Sequence, residues 1–359
     1  MSVADQTSLV IGANGFLGSH VTRQLVAAGG EVRAMVREGA KTTGIDDLAV
    51  QRFYGDVFDT DVLTEAMTGC DVVYYCVVDT RAWLRDPAPL FRTNVEGVRN
   101  VLEVAKSMDL ERFVFTSSYV TIGRRKSRRP LALRGSALRA SAHRGATEED
   151  KFVWRRSDGP YALSRLQAEE LVLRYAHEHG VPAVAMCVST TYGAGDWNMT
   201  PQGAMVAGAA FGKMPFVMKG IRLEAVGVDD AARSLILAAE RGRNGERYII
   251  SDKMVTNGEM IRIAAREAGV PAPRRSLSLT MLYGMAVAGS LKARLRGTPE
   301  QMTLRSLRLM RAEAEVDHSK AVRELGWQPQ PVEDSIRAAA RFFVDMRDMR
   351  RKLKAAQTD

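Results

Sequence analysis

Read from the amino terminus, the chain alternates short apolar runs with longer stretches whose apolar residues recur at helical spacing. SLVI (8–11), EVRAMV (31–36), VQRFY (50–54), DVVYYCV (71–77) and RFVFTSS (112–118) are short and rich in β-branched and aromatic residues, which predicts five buried strands. Residues 15–28 and 89–107 carry the patterning of helices. A further helix from about Tyr161 to His177 leads into PAVAMCV (182–188), a sixth strand. Such alternation predicts an α/β fold of the Rossmann type, a doubly wound parallel sheet covered on both faces by helices. Beyond residue 195 the elements shorten, with PFV, RLEAVGV and ERYIIS as strand candidates. The expected division is a dinucleotide-binding part over 1–195, interrupted by an insertion at 123–150, and a smaller substrate-covering part over 196–359. Some segments of the second part are expected to return to the first.

The connection after the first strand carries the candidate chemistry. Gly12, Asn14, Gly15, Phe16, Leu17 and Gly18 lie between that strand and the next helix. Glycines there permit a tight turn and a close approach to a pyrophosphate, which the helix N-terminus then faces with free N–H groups. The second strand ends at Arg37, with Lys41 four residues on and no acid before Arg37. An arginine in that place pairs with a 2′-phosphate, so NADP(H) is favoured over NAD(H), although Glu38 follows directly. The fifth strand ends at Ser118, and Tyr161 opens a later helix. In a doubly wound sheet these positions gather at the carboxyl edge. A serine hydroxyl there can bind a carbonyl oxygen, and a tyrosine can exchange the proton that balances hydride transfer if a cation favours its phenolate.

Composition narrows the class. The 359 residues are 46% hydrophobic and 26% charged, as expected of a soluble globular chain, and no run approaches the roughly 18 apolar residues of a membrane span. The start has no basic-then-apolar leader, and Cys70, Cys76 and Cys187 have no metal-ligand spacing, so a reducing cytoplasm and no metal are expected. The net charge of +9 is local: seven Arg and one Lys between 124 and 144 leave only +1 elsewhere. That run reads either as a clamp for an anionic substrate, a phosphorylated carrier or an acidic surface, or as a solvated loop. Nucleic acid is not expected, because neither aromatic interleaving nor a recognition motif accompanies the charge. A second basic run, 347–354, is expected in a fraying C-terminal tail.

These motifs together resemble the extended short-chain dehydrogenases/reductases over nearly the whole chain. Gly12–Gly18 corresponds to that family's GxxGxxG, Asp56 to its adenine-contacting acid, Asn94 to its helix asparagine and Ser118 to its active-site serine. Val226–Asp230 (VGVDD) and Glu324–Pro329 (ELGWQP) resemble two further signatures. Within the family, Arg37 and the segment Asp79–Asp86 look most like the dihydroflavonol-reductase/3β-hydroxysteroid-dehydrogenase-like and hopanoid-associated sugar-epimerase-like branches. The resemblance implies that Val57, Cys76, Val77, Val78, Val188 and Ser189 also touch the cofactor, that Asn94 supports a water network, and that helices near 90–107 and 161–178 form a homodimer. One departure is sharp: the Y-x-x-x-K pattern reads Tyr161-Ala-Leu-Ser-Arg165. Arginine keeps the charge but does not release a proton near neutral pH. After the sixth strand, Val188 also replaces the usual proline.

Val78, Trp83, Tyr119, Trp154, Tyr192 and Trp197 are candidates to line a substrate site, and each is equally a candidate for the core. Such a lining suits a bulky, mostly apolar or carrier-linked substrate. Residues 279–291 are apolar and are followed by Lys292, Arg294 and Arg296, which reads as a packed helix, a dimer contact or a helix touching a membrane surface. The reading that results is an NAD(P)-dependent reductase or dehydrogenase of a carbonyl/alcohol pair. The alternatives are a nucleotide-sugar epimerase or dehydratase, and a cofactor-binding protein weakened by Arg165.

Overall fold

The computed structural model describes residues 3–84, 86–123, 145–150, 152, 155, 158–296, 307 and 315–356, and for 290–296 and 354–356 the backbone alone. The first half runs β1 (Thr7–Ile11), α1 (Phe16–Ala27), β2 (Glu31–Val36), β3 (Gln51–Tyr54), α2 (Thr60–Met67), β4 (Val72–Tyr75), α3 (Ala88–Phe91), α4 (Gly97–Ala105), β5 (Arg112–Ser118), α5 (Gly159–His179) and β6 (Ala183–Val188). There follow β7 (Thr190–Tyr192), α6 (Pro201–Ala210), β8 (Val217–Met218), β9 (Arg222–Gly227), α7 (Val228–Arg241) and β10 (Arg247–Ile250). The chain continues through β11 (Lys253–Thr256), α8 (Asn257–Glu267), β12 (Ser276–Leu277), α9 (Leu279–Arg296), α10 (Ser319–Leu325) and α11 (Val332–Ala356).

Seven strands form one sheet in the order β10-β6-β5-β4-β1-β2-β3, every pair parallel. Alternate side chains leave by opposite faces, as the period of two requires. Val10, Tyr74, Val114 and Met186 join Val21 and Leu25 of α1 and Leu235 and Ala238 of α7 in one buried cluster. Leu9, Ile11, Tyr75 and Phe115 join Val98 and Leu102 of α4 and Val172 of α5 in another. This is the doubly wound sheet expected from the sequence. The chain turns back between β1 and β4, which leaves a crevice at their carboxyl ends.

The helix expected over 89–107 is broken. A π-helical turn, Arg92–Glu96, separates α3 from α4. It inserts a residue where the helix packs close: a Cβ on Gly97 would stand 2.9 Å from Val57 Cγ2. After residue 195, β11, β9 and β7 form a second sheet, β12 pairs with β8, and α6, α8 and α11 enclose a third core. Strand β10 joins the edge of the large sheet, and α7 packs on α1. The basic run expected in a fraying tail instead belongs to α11, where Arg347 lies 4.9 Å from the centre of the Phe211 ring.

Two signature segments prove to be bound to each other. Trp327 is fully buried and donates its indole N–H to the Asp230 carbonyl at 2.8 Å, while the Asp230 carboxylate accepts from the Gln330 N–H at 2.8 Å. The run 124–144 lies outside the described residues, but both of its ends are anchored. Gly123 N–H donates to the Asp150 carbonyl at 2.9 Å, and Arg247 donates to the Glu148 carbonyl at 2.9 Å while pairing with buried Glu169 at 2.8 Å. Trp327→Ala should cost about 3–5 kcal/mol in chemical denaturation. Met349→Ala, on an exposed face of α11, should stay within about 0.5 kcal/mol.

Candidate active site

The turn after β1 has the geometry of an anion cradle. Gly12 adopts a φ of +83°, open to glycine at little cost, and its N–H donates to the Met35 carbonyl at 3.0 Å. A Cβ on Gly18 would lie 2.2 Å from the Gly12 carbonyl oxygen, so only glycine lets α1 start this close to the strand. Gly15 caps α1 without a side-chain hydrogen bond, which leaves the first-turn N–H groups for a ligand. Asn14 donates to the Lys41 carbonyl at 3.2 Å, and the Asn14 carbonyl accepts from Asn198 at 3.1 Å. The Phe16 ring meets His20 edge-on at 5.5 Å, and Leu17 packs against the first core cluster. His20 in turn contacts Asp229 at 2.7 Å and the Ala194 carbonyl at 3.0 Å, which ties the 194–198 loop over this turn.

The other expected cofactor contacts stand at or just past the carboxyl ends of β2, β3, β4 and β6. Cys76 continues β4 by donating its N–H to the Ile11 carbonyl at 2.9 Å, and a Cβ on Gly12 would touch Val77 at 3.0 Å. Burial pushes the Cys76 thiol up to about 12, so it is neutral. Asp56 is exposed and accepts from the Phe58 N–H at 3.2 Å, and Val57 is buried with its carbonyl bound to Asn100 at 2.8 Å. Val78 stays partly exposed, and Arg37 is exposed at the end of β2. Val188 and Ser189 close the edge at β6, where the Ser189 hydroxyl is buried with no partner among the described residues.

Ser118 and Tyr161 meet. The Ser118 side chain acts on the Tyr161 phenol and favours its ionised form. Burial raises the pKa of Tyr161, the charge on Arg165 and the Ser118 side chain pull it back, and the balance stays above the usual value. Arg165 follows one turn later and is only 1% exposed. It donates from Nη2 to the Thr116 carbonyl at 2.5 Å and lies 5.1 Å from the centre of the Phe115 ring. Its Nε and Nη1 are buried without a partner among the described residues. Two unsatisfied donors beside the tyrosine, with the glycine cradle at the other end of the crevice, fit the ribose hydroxyls and pyrophosphate of a nicotinamide dinucleotide.

Asn94 is fully buried and clamps the loop after β4 to α5. Its Oδ1 accepts from the Asp79 N–H at 2.8 Å, and its Nδ2 donates to the Asp79 carbonyl at 3.0 Å and to Ser164 Oγ at 3.1 Å. Ser164 donates to the Tyr161 carbonyl at 2.8 Å, so this amide helps place the phenol. Both amide donors are thereby occupied.

Asp79 escaped the sequence reading. Its carboxylate is buried and forks with Arg81 at 2.9 and 2.5 Å. Burial works to raise its pKa, but the hydrogen bonds from Arg81 and the charges on Arg81 and Arg37 outweigh it and hold the carboxyl below its usual range. Its charge in turn reaches Tyr161. In the sequence it stands only as the start of the segment 79–86, and a further signal was position, an acid just past the carboxyl end of a buried strand. Among the lining candidates, Tyr119 lies near both Tyr161 and Tyr192. Burial, then the charge on Glu224 and the presence of Tyr161, raise the Tyr119 pKa against a hydrogen bond from Thr190. Trp83 is half-buried. Trp197 packs edge-on to Phe342 at 4.9 Å and stands close to Gly44. Trp154 lies outside the described residues. Among the described residues no cluster suits a metal ion.

A strand, a glycine turn and a helix at the crevice of a parallel sheet define a dinucleotide-binding protein of the Rossmann class. Residues 8–251 match the NAD dependent epimerase/dehydratase family, and the chain belongs to it. It is 28% identical over 339 residues to a putative dihydroflavonol 4-reductase of Synechocystis, covering 93% of each chain. It is 27% identical over 341 residues to sterol demethylase protein B of Methylococcus capsulatus, covering 94% of this chain and 98% of that one. The crystal structure of gox2253 superposes with a TM-score of 0.78 at 32% identity, over 95% of this chain and 98% of that one.

Because Asp79 has a lowered pKa in the folded state, its ion pair stabilises fully above the usual carboxylate value of about 4 and fades as pH falls below it. Asp79→Asn should therefore lower the neutral melting temperature modestly, since Arg81 is half exposed, and flatten the acid limb by a matching amount.

Proposed function

We propose that the protein is an NADP(H)-dependent reductase or dehydrogenase acting on a carbonyl/alcohol pair of a bulky, mostly apolar substrate. The observation that carries this reading is the buried Arg165, with two donors unpartnered among the described residues, whose charge acts with the Ser118 side chain on the Tyr161 phenol. The dinucleotide supplies or receives the hydride when bound. Ser118 binds the carbonyl oxygen, and Tyr161 delivers its proton to that oxygen or takes it back. Arg165 orients the ribose and favours the tyrosinate by its charge. A guanidinium does not give up a proton near neutral pH, so Tyr161 is reprotonated from solvent and not through residue 165. Asn94 acts as a positioning residue through Asp79 and Ser164. Exposed Arg37, with Lys41 nearby, supports NADP(H) over NAD(H) through its pairing with a 2′-phosphate. The flavonol and sterol in the relatives' names, with Tyr119 near Tyr161, support an apolar substrate.

The proposal extends to surroundings and assembly. Three free cysteines suit a reducing cytoplasm. Faces of α4 and α5 are the proposed homodimer contact, on the strength of the family resemblance. Met281, Met285 and Val287 of α9 are 55%, 45% and 53% exposed, which supports peripheral contact with a membrane surface. No described helix is long and apolar enough to cross a membrane.

A panel of aryl and alkyl ketones, followed by nicotinamide absorbance with NADPH and NADH, tests the reading. Tyr161→Phe should lower kcat by about 10²–10⁴-fold. Arg37→Ala should raise the KM for NADPH about tenfold and leave that for NADH nearly unchanged, as expected from losing one charge-assisted hydrogen bond. Arg165→Lys tests the departure directly. A large gain would mean that arginine attenuates the enzyme, whereas inactivity of both forms on every substrate would leave a nucleotide-binding protein. A protein that retains tightly bound NAD and shows no net turnover would instead be an epimerase or dehydratase.

A further inference from the structure

One side of α5 carries ionisable groups at four-residue spacing: Tyr161, Arg165 and Glu169. Glu169 is 1% exposed, a depth at which a carboxylate is found only when its oxygens are paired. Three neighbouring strands converge on it. From β5, β6 and β10 in turn, it accepts from the Ser117 hydroxyl, from the Cys187 thiol at 3.2 Å and from Arg247 Nη1 at 2.8 Å. The Thr121 hydroxyl lies 2.7 Å from the same carboxylate and 2.7 Å from the Ser118 carbonyl, so Glu169 holds the chain on both sides of Ser118. Arg247 spends its remaining donors on the carbonyls of Glu148 at 2.9 Å and Asp150 at 3.3 Å. The Glu148 carboxylate, also near, is taken up by the Ile249 N–H at 2.8 Å. Four residues apart on a helix, Arg165 and Glu169 stand where a guanidinium and a carboxylate ordinarily attract each other. Among the described residues, however, Arg165 binds no carboxylate, and its charge acts on the Tyr161 phenol instead.

We propose that Arg247 is a positioning residue for proton transfer at Tyr161: by pairing with Glu169 it reserves the Arg165 charge for the phenol. The inference rests on the reductase reading for its use, since it concerns the proton that Tyr161 exchanges. With Arg247 in place, the buried carboxylate is neutralised within its own cluster. Without it, Glu169 holds an uncompensated charge out of water, and the nearest cation along its helix is Arg165. Because a guanidinium contributes charge and no proton at this site, a competing carboxylate takes away its whole contribution. The Glu169 charge is also felt directly at the phenol, eight residues or about 12 Å along the axis. At that separation inside a protein, one unit charge moves a titration by about one pH unit. The groups that act on the phenol from the surrounding elements are Arg165 on α5, Ser118 on β5 and Asp79 after β4, with Tyr119 near.

The test follows the phenol by carbon-13 resonance in the full chain, labelled at tyrosine Cζ and saturated with NADP+, its signal assigned by loss in Tyr161→Phe. Arg247→Met should move the midpoint up by about one pH unit, and Glu169→Gln should move it down by a similar amount. The double variant should lie near the parent, and Arg247→Lys, which keeps the charge, should restore most of the shift. Arg243→Met removes an exposed arginine paired with Glu324 at 2.9 Å and should leave the midpoint unchanged. The same order should appear in the pH profile of kcat for alcohol oxidation, which needs the phenolate, with KM for NADP+ little altered. A merely structural tie would move the midpoint the same way in Arg247→Met and Glu169→Gln, or not at all, and either result overturns the proposal. A double variant displaced as far as Arg247→Met overturns it too. If Arg247→Met does not fold, Glu169→Gln and the double variant, which leave no unpaired buried carboxylate, still decide. Midpoints that move as expected in a protein that oxidises no alcohol would sink the reductase reading and leave the action of Arg247 on the phenol standing.

Discussion

Arg165 sits almost out of reach of water, with one carbonyl and one aromatic ring as its partners. Taking such a charge from solvent costs several kcal/mol unless its donors are satisfied, so the apoprotein holds a cation that its own described residues do not complete. The surroundings are arranged around that fact. Phe115 supplies a ring face, Thr116 a carbonyl, and Tyr161 a phenol whose acidity the charge increases. A lysine would place a compact charge on a flexible stem, whereas the planar fork reaches sideways along β5. The electrostatic half of the family's tyrosine–lysine device survives in this chain, and the proton-transferring half does not.

Much of the sheet was legible because its strands are buried on both faces and therefore read as near-continuous apolar runs. DVVYYCV and PAVAMCV are too short for a core helix and too apolar for a solvated strand, and the glycine turn gains meaning from the strand before it and the helix after it. The two-residue strands β8 and β12 carry no periodicity to detect, and β7 and β11 are scarcely longer. They are specified by tertiary pairing. The π turn at Arg92–Glu96 was equally hidden, because the apolar spacing on either side of it looks like one helix.

At the site, Ser118 and Tyr161 were found by their places on strand end and helix start and Arg165 by resemblance, and the Arg165 charge and the Ser118 side chain both act on the Tyr161 phenol. Asn94 was found by resemblance, but its task of joining Asp79 to Ser164 depends on contacts with residues 15 and 70 positions away, which no local pattern displays. Asp79 was passed over because one acid in a polar loop looks like solvated charge until its burial and its arginine partner are known. Trp197 was read as either lining or core, and its ring packs edge-on against Phe342 of α11.

The join between Asp230 and Trp327 links residues 97 apart, and α7, which carries Asp230, lies against α1 behind the glycine cradle. As the chain emerges during synthesis, the nucleotide-binding half is therefore unfinished long after its own strands have been made. The helix that backs the cradle lacks its buried indole until residue 327 is available, and until then an apolar patch beside α7 stays open to chaperones or to premature association. Sequence order and assembly order differ in this molecule, and its last signature motif is the one that seals its first.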